Sequence, residues 1–167
     1  MPYYPLVLEM KKLLGSLDAC LDKAQAHATK NNYDPQVLLG SRLAPDMFPL
    51  MFQIQATCDQ AQYAAGRTTS MELPAHADGE QGFEELKLRI KSVVNYLDGF
   101  GPEDFAEIDD VTVTTPRWKG KSMTAANYFV EHAVPNFFFH LAMAYAILRH
   151  NGVEVGKRDY LGAITYQ

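Results

Sequence analysis

Residues 128–148, YFVEHAVPNFFFHLAMAYAIL, form the most apolar run of the chain, and that run limits the fold more than any other stretch. By length alone it would cross a membrane, since about 20 helical residues span the hydrocarbon layer. Glu131, His132, Asn136 and His140 interrupt it, and each would be costly in lipid. A helix apolar on nearly every side, with such interruptions, fits the most buried member of a helical bundle that has no membrane as partner. Phe137, Phe138 and Phe139 cover most of its circumference, so at least one ring must turn away from the helix's own core. That predicts a second copy of the chain packed there, a homodimer.

Helical spacing recurs through the rest of the chain. From Pro5 to Lys30, Leu6, Met10, Leu13, Leu14, Leu17, Leu21 and Ala24 make one stripe at steps of three and four, predicting a first helix over 5–30. A second is predicted over 46–67, with Asp46 in APDMFPL capping its first turn. The third, over 82–98, turns Leu86, Ile90, Val93, Val94 and Leu97 inward and is stopped by DGFGPED. In DVTVTTPRWKGKS the period drops to two, so a short extended excursion or hairpin is expected between 105 and 122. The fourth helix runs over 124–150, with Ser122 or Thr124 as cap and Asn151-Gly152 as its left-handed stop. Without strand–helix alternation, the fold class is all-α: a four-helix bundle, with residues 1–167 as one domain.

Several function classes drop out. A net charge of −5 with scattered basic residues argues against nucleic acid, because phosphate binding needs a concentrated Lys/Arg face. Cys20 and Cys58 have no CxxC or His-rich spacing, which fits neither a disulfide framework nor a zinc knuckle. With no basic-then-apolar order in MPYYPLVLEMKK, an unexported, cytoplasmic protein is expected. Glu84-Glu85, Glu103-Asp104 and Asp109-Asp110 are adjacent pairs whose side chains diverge, and they suit solvated charge better than acid–base work. No Ser or Cys nucleophile stands in a visible His/acid arrangement, and catalytic residues stay unassigned.

The candidate site is the polar stripe inside the apolar run. His132, Asn136 and His140 follow at i, i+4 and i+8 and share one helix face beside Pro135, which is expected to bend the axis. Buried polar groups need partners, and Gln53 and Gln55 in PLMFQIQ can supply them from the second helix. Gln53, His132, Asn136 and His140 therefore either form a hydrogen-bonded network that fixes helix register or build a metal or small-molecule site at the bundle centre.

The opening PDMFPLMFQIQ of the second helix and the closing PNFFFHLAMAYAILRHNGVEVGKRDYLG resemble an uncharacterised bacterial family of unknown function within the DinB/YfiT-like superfamily. The resemblance implies a four-helix bundle, often dimeric. In many members of that superfamily a divalent metal sits on three histidines, one from the second helix and an HxxxH pair from a later one, and some are metal-dependent transferases, isomerases or hydrolases. In this chain the HxxxH pair falls on Asn136 and His140 and the second-helix position near Gln53. One imidazole flanked by two amides is a poor zinc or nickel site, so no cofactor is expected, and His140 is the one residue that would ligate a metal. His132 lies about 12 Å from His140 along a helix axis, too far to share an ion. Two readings follow: a non-catalytic or small-ligand-binding dimer with a degenerate metal site, or a metal-dependent transferase or hydrolase using His140.

Overall fold

The computed structural model describes residues 3–166. The stripe of the first segment forms α1, Tyr3–Lys30, whose Val7, Met10, Leu13, Leu14, Leu17, Leu21 and Ala24 are all buried. A single turn, α2 (Gln36–Leu39), follows, and then α3 (Leu50–Thr69) and α4 (Phe83–Leu97). The hairpin strands β1 (Thr112–Thr114) and β2 (Ser122–Thr124) pair antiparallel, with Val113 opposite Met123. The last long helix runs from residue 125 to 150 in three consecutive pieces. They are α5 (Ala125–Asn127), a π-helical segment (Tyr128–Ala133) and α6 (Val134–His150). The chain is thus an all-α bundle around α1, α3, α4 and α6, with α3 against α6 as its most extensive helix contact.

The second helix starts four residues later than its sequence suggests, and Asp46 does not cap it. Pro49 is the N-cap, in extended conformation with ψ 171°. The residue before a proline is pushed out of the helical region, so Phe48 cannot join the first turn. At the last helix Thr124, one of the two expected caps, accepts from the Asn127 N–H at 3.3 Å. Pro135, which has no N–H to donate, is taken up by π turns in which Val134 N–H reaches five residues back to Phe129 O. Gly152, at φ +85°, provides the left-handed stop, and Val153 N–H returns to Leu148 O at 3.1 Å.

After that stop, Val153 and Val155 are buried and lead into α7 (Lys157–Leu161), which lies on α1 through a 2.7 Å Lys23–Asp159 ion pair. Gly66 marks the tightest approach on α3: a Cβ there would run into Tyr96 Oη and Leu73 Cδ2. Of the three phenylalanines, Phe137 is buried, Phe138 is half-buried against the core, and Phe139 is 53% exposed. No helix among the described residues is long and apolar enough to cross a membrane.

Candidate functional site

One face of α3 carries Phe52, Ala56, Asp59, Gln60, Tyr63 and Arg67 at helical spacing, and these residues form one wall of a cleft of 390 Å³. The opposite wall is His132, Asn136 and His140 from the last helix. The hairpin supplies the cover: between β1 and β2 a 3₁₀ turn, Pro116–Trp118, is closed by Lys119 at φ +52° and Gly120 at φ +86°. This fold-back sets the Trp118 ring 5.9 Å from Tyr128 and 5.4 Å from His132, both edge-on. The three stripe residues do share one cavity, despite the π segment that starts their helix. Gln53 is 2% exposed and stands just behind the wall.

The Gln53–His140 contact defines the chemistry of the wall. Gln53 Nε2 donates to Phe48 O at 3.1 Å, which only the amide NH₂ can do. Its Oε1 is thereby turned to His140 Nδ1, 2.9 Å away, and must accept, so His140 donates from Nδ1. The neutral ring then carries its lone pair on Nε2, which has no protein partner among the described residues. Burial holds His140 below its ordinary pKa, favouring that neutral form. The ring is edge-on to Phe52 at 6.0 Å and to Phe139 at 5.2 Å. One turn earlier, Asn136 Nδ2 donates to His132 O at 2.6 Å. His132 stacks on Tyr128 at 5.2 Å, its Nδ1 is buried without a partner, and burial, then the nearby Arg67 charge, lowers its pKa.

A divalent metal does not fit this donor set. The Gln53 amide is committed on both sides, to Phe48 and to His140 Nδ1, leaving His140 Nε2, the His132 ring eight residues away along the helix and the Asn136 amide. Among the described residues no group of three or more His, Cys, Asp or Glu side chains is placed to hold an ion. Borderline metals need more than one nitrogen, thiolate or carboxylate donor.

Charged groups of the cleft went unread in the sequence. Arg89 of α4, 3% exposed, bridges Asp59 at 2.7 Å, Glu80 at 2.8 Å and Asp78 at 3.0 Å, and Gln55 Nε2 adds a 2.9 Å bond to Glu80. This knot ties the 70–82 loop to α3 and α4. Burial raises the Asp59 pKa in spite of Arg89; at Glu80 burial also pushes upward, but the bonds from Arg89 and Gln55 outweigh it and hold the carboxyl low. Arg67 lies 3.7 Å over the Tyr63 ring, with Nη1 3.4 Å from Tyr128 Oη. The four-residue steps from Phe52 to Ala56 and from Tyr63 to Arg67 were the available signal.

Comparison with other proteins agrees with this architecture. Residues 3–161 match the family described as Domain of unknown function (DUF1993). A crystal structure of a DinB family member protein from Shewanella denitrificans is 47% identical, superposes with a TM-score of 0.94, and covers 98% of this chain and 94% of that one. A search of curated proteins finds no match. The chain belongs to the DUF1993 family and shares its fold with a DinB family member.

Proposed function

We propose that this protein binds a small molecule, without a metal, in the cleft between α3, the last helix and the hairpin. The observation that carries the reading is the Gln53–His140 hydrogen bond at 2.9 Å. It orients the imidazole from behind and leaves Nε2 to the cavity, as a positioned acceptor for a ligand N–H or O–H. Phe52 and Trp118 supply flat apolar walls within a lining that is otherwise mostly polar and charged, so an occupant would meet ring faces together with several hydrogen-bonding groups. A neutral His140 with a free lone pair also suits proton abstraction, which keeps a metal-free enzyme as the second reading. Exposed Phe139 and Phe48 flank the Phe52–His140 side of the cleft and support a homodimer through that face. A cytoplasmic setting rests on the two unpaired thiols, Cys20 and Cys58.

The test is a protein-observed amide NMR screen against a mixed collection of small organic fragments, with zinc and nickel titrated separately. Fragment shifts should cluster on residues 52–67, 115–118 and 132–140, and neither metal should perturb the His140 ring at equimolar concentration. Hits confined to other faces, or a saturable metal shift at His140, would refute the reading.

A further inference from the structure

The charges that reach the cleft are unequal in what they already hold. Asp59 and Asp78 each place an oxygen on Arg89, at 2.7 and 3.0 Å. Arg67 and Arg117 line the same cavity, and among the described residues neither forms an ion pair. Arg67 is also preset. With its Cζ over the Tyr63 ring and one nitrogen beside Tyr128 Oη, the guanidinium is held by a ring and a hydroxyl, and its remaining N–H groups meet no carboxylate among the described residues. Arg117 comes from the hairpin that covers the cleft, one residue before Trp118.

We infer that the cleft takes a small organic carboxylate, its acid group held between Arg67 and Arg117 and its apolar body against Trp118 and Ala56. The inference rests on the small-molecule reading above and adds the class of ligand. Both guanidiniums gain a charge-assisted partner that the described residues do not provide, whereas a cationic ligand would compete with Arg89 for Asp59 and Asp78 while facing these two arginines. Gln60 Oε1, buried on the same wall without a partner, can accept from a hydroxyl or amide on the ligand body.

Trp118 is the sole tryptophan of the chain and lines this cleft, so its emission responds when the cleft fills; the Arg67 variants separate that from binding at the hairpin's other side, which Trp118 also borders. Three matched probes share a phenylpropyl body: 3-phenylpropanoate, 3-phenylpropanamide and 3-phenylpropylamine. The acid should change Trp118 emission saturably, at least tenfold more tightly than the amide, with the amine weakest. Arg67→Gln and Arg117→Gln should each bring the acid toward the amide's affinity and leave the amide unchanged. Arg67→Lys should recover part of the loss, and an unaltered melting temperature in each variant shows the fold intact. Equal binding of acid and amide overturns the carboxylate inference while the small-molecule reading stands, and tighter binding of the amine overturns it in favour of a cation. No response to any probe up to 20-fold above the acid's working range, set at about 1 mM for a fragment of this size, removes the inference and the aromatic-walled cleft together.

Discussion

The Gln53–His140 pair can be weighed directly by a double-mutant cycle with His140→Phe and Gln53→Met. His140→Phe leaves Gln53 Oε1 without a donor in a side chain only 2% exposed, which costs about 1–3 kcal/mol. Gln53→Met strips the acceptor from His140 Nδ1 and the donor from Phe48 O, at a similar cost of about 1–3 kcal/mol. For a chain of this size about 1 kcal/mol moves Tm by ~3 °C, so each single variant should melt roughly 3–9 °C lower. The double variant removes both ends of the bond and avoids counting the orphaned partners twice. It should recover a coupling of about 0.5–1.5 kcal/mol relative to the sum of the singles. Urea titration followed by far-ultraviolet circular dichroism measures all four proteins. A double variant that loses the full sum, with coupling within about 0.3 kcal/mol of zero, would refute the claim that this contact fixes the imidazole.

Other perturbations act on separate parts of the molecule. Arg89→Met leaves Glu80, whose side chain is 9% exposed, and Asp59, at 23%, without their cation, and should cost about 3–5 kcal/mol in urea unfolding; a loss below about 1 kcal/mol would show the knot to be dispensable. Burial lowers the pKa of His76, His132 and His140 from 6.5, so the unfolded chain binds protons that the folded one refuses. Stability is therefore complete above that value and falls as the pH drops through it toward the folded pKa values, by at most about 1.4 kcal/mol per pH unit for each ring. The raised Asp59 pKa acts with the opposite sign, in the carboxylate range below. Denaturant midpoints between pH 8 and 5 should show the decline, shallower in His140→Phe; a flat profile would contradict it. Phe139→Glu should turn a dimer into a monomer in sedimentation velocity at micromolar concentration, since Phe139 is 53% exposed on α6; a wild type that is already monomeric rules out the dimer.

Where burial is one-sided, periodicity located the helices closely. The stripes of α1 and α4 face a single core, and the structure places those helices at Tyr3–Lys30 and Phe83–Leu97, within two residues of expectation. The start of α3 was misread because a capping aspartate and a proline compete within four residues, and the steric veto of Pro49 on Phe48 prevails over what Asp46 offers. Nothing in the spacing of His132, Asn136 and His140 announces π turns. They arise because Pro135 removes one donor from a helix whose buried carbonyls still need partners, and their positions depend on packing that a linear pattern does not contain. The short helices α2 and α7 were also invisible, being too short to show a period.

The site was legible from one wall only, and the reason is physical. A polar residue in an apolar helix stands out, so His140, Asn136 and Gln53 could be found by contrast. Arg67 and Tyr63 sit on a helix where polar and small residues already alternate, and Trp118 lies in a turn whose aim is set by hairpin register. Yet these are the residues that give the cavity its charge and its flat surface. The Gln53 amide ties up the imidazole nitrogen behind the wall. On the proposed reading, recognition falls to the lining groups left without a partner: the Nε2 lone pair of His140, and the two guanidiniums that no carboxylate among the described residues has claimed. Along α3, Phe52 and Arg67 are 15 residues apart, about 22 Å at 1.5 Å per residue, so a ligand the size of a single ring cannot touch both ends. A compact acid would engage the arginines alone, and only an elongated one would also reach His140, which makes ligand length the variable that separates simple binding from any proton transfer at Nε2.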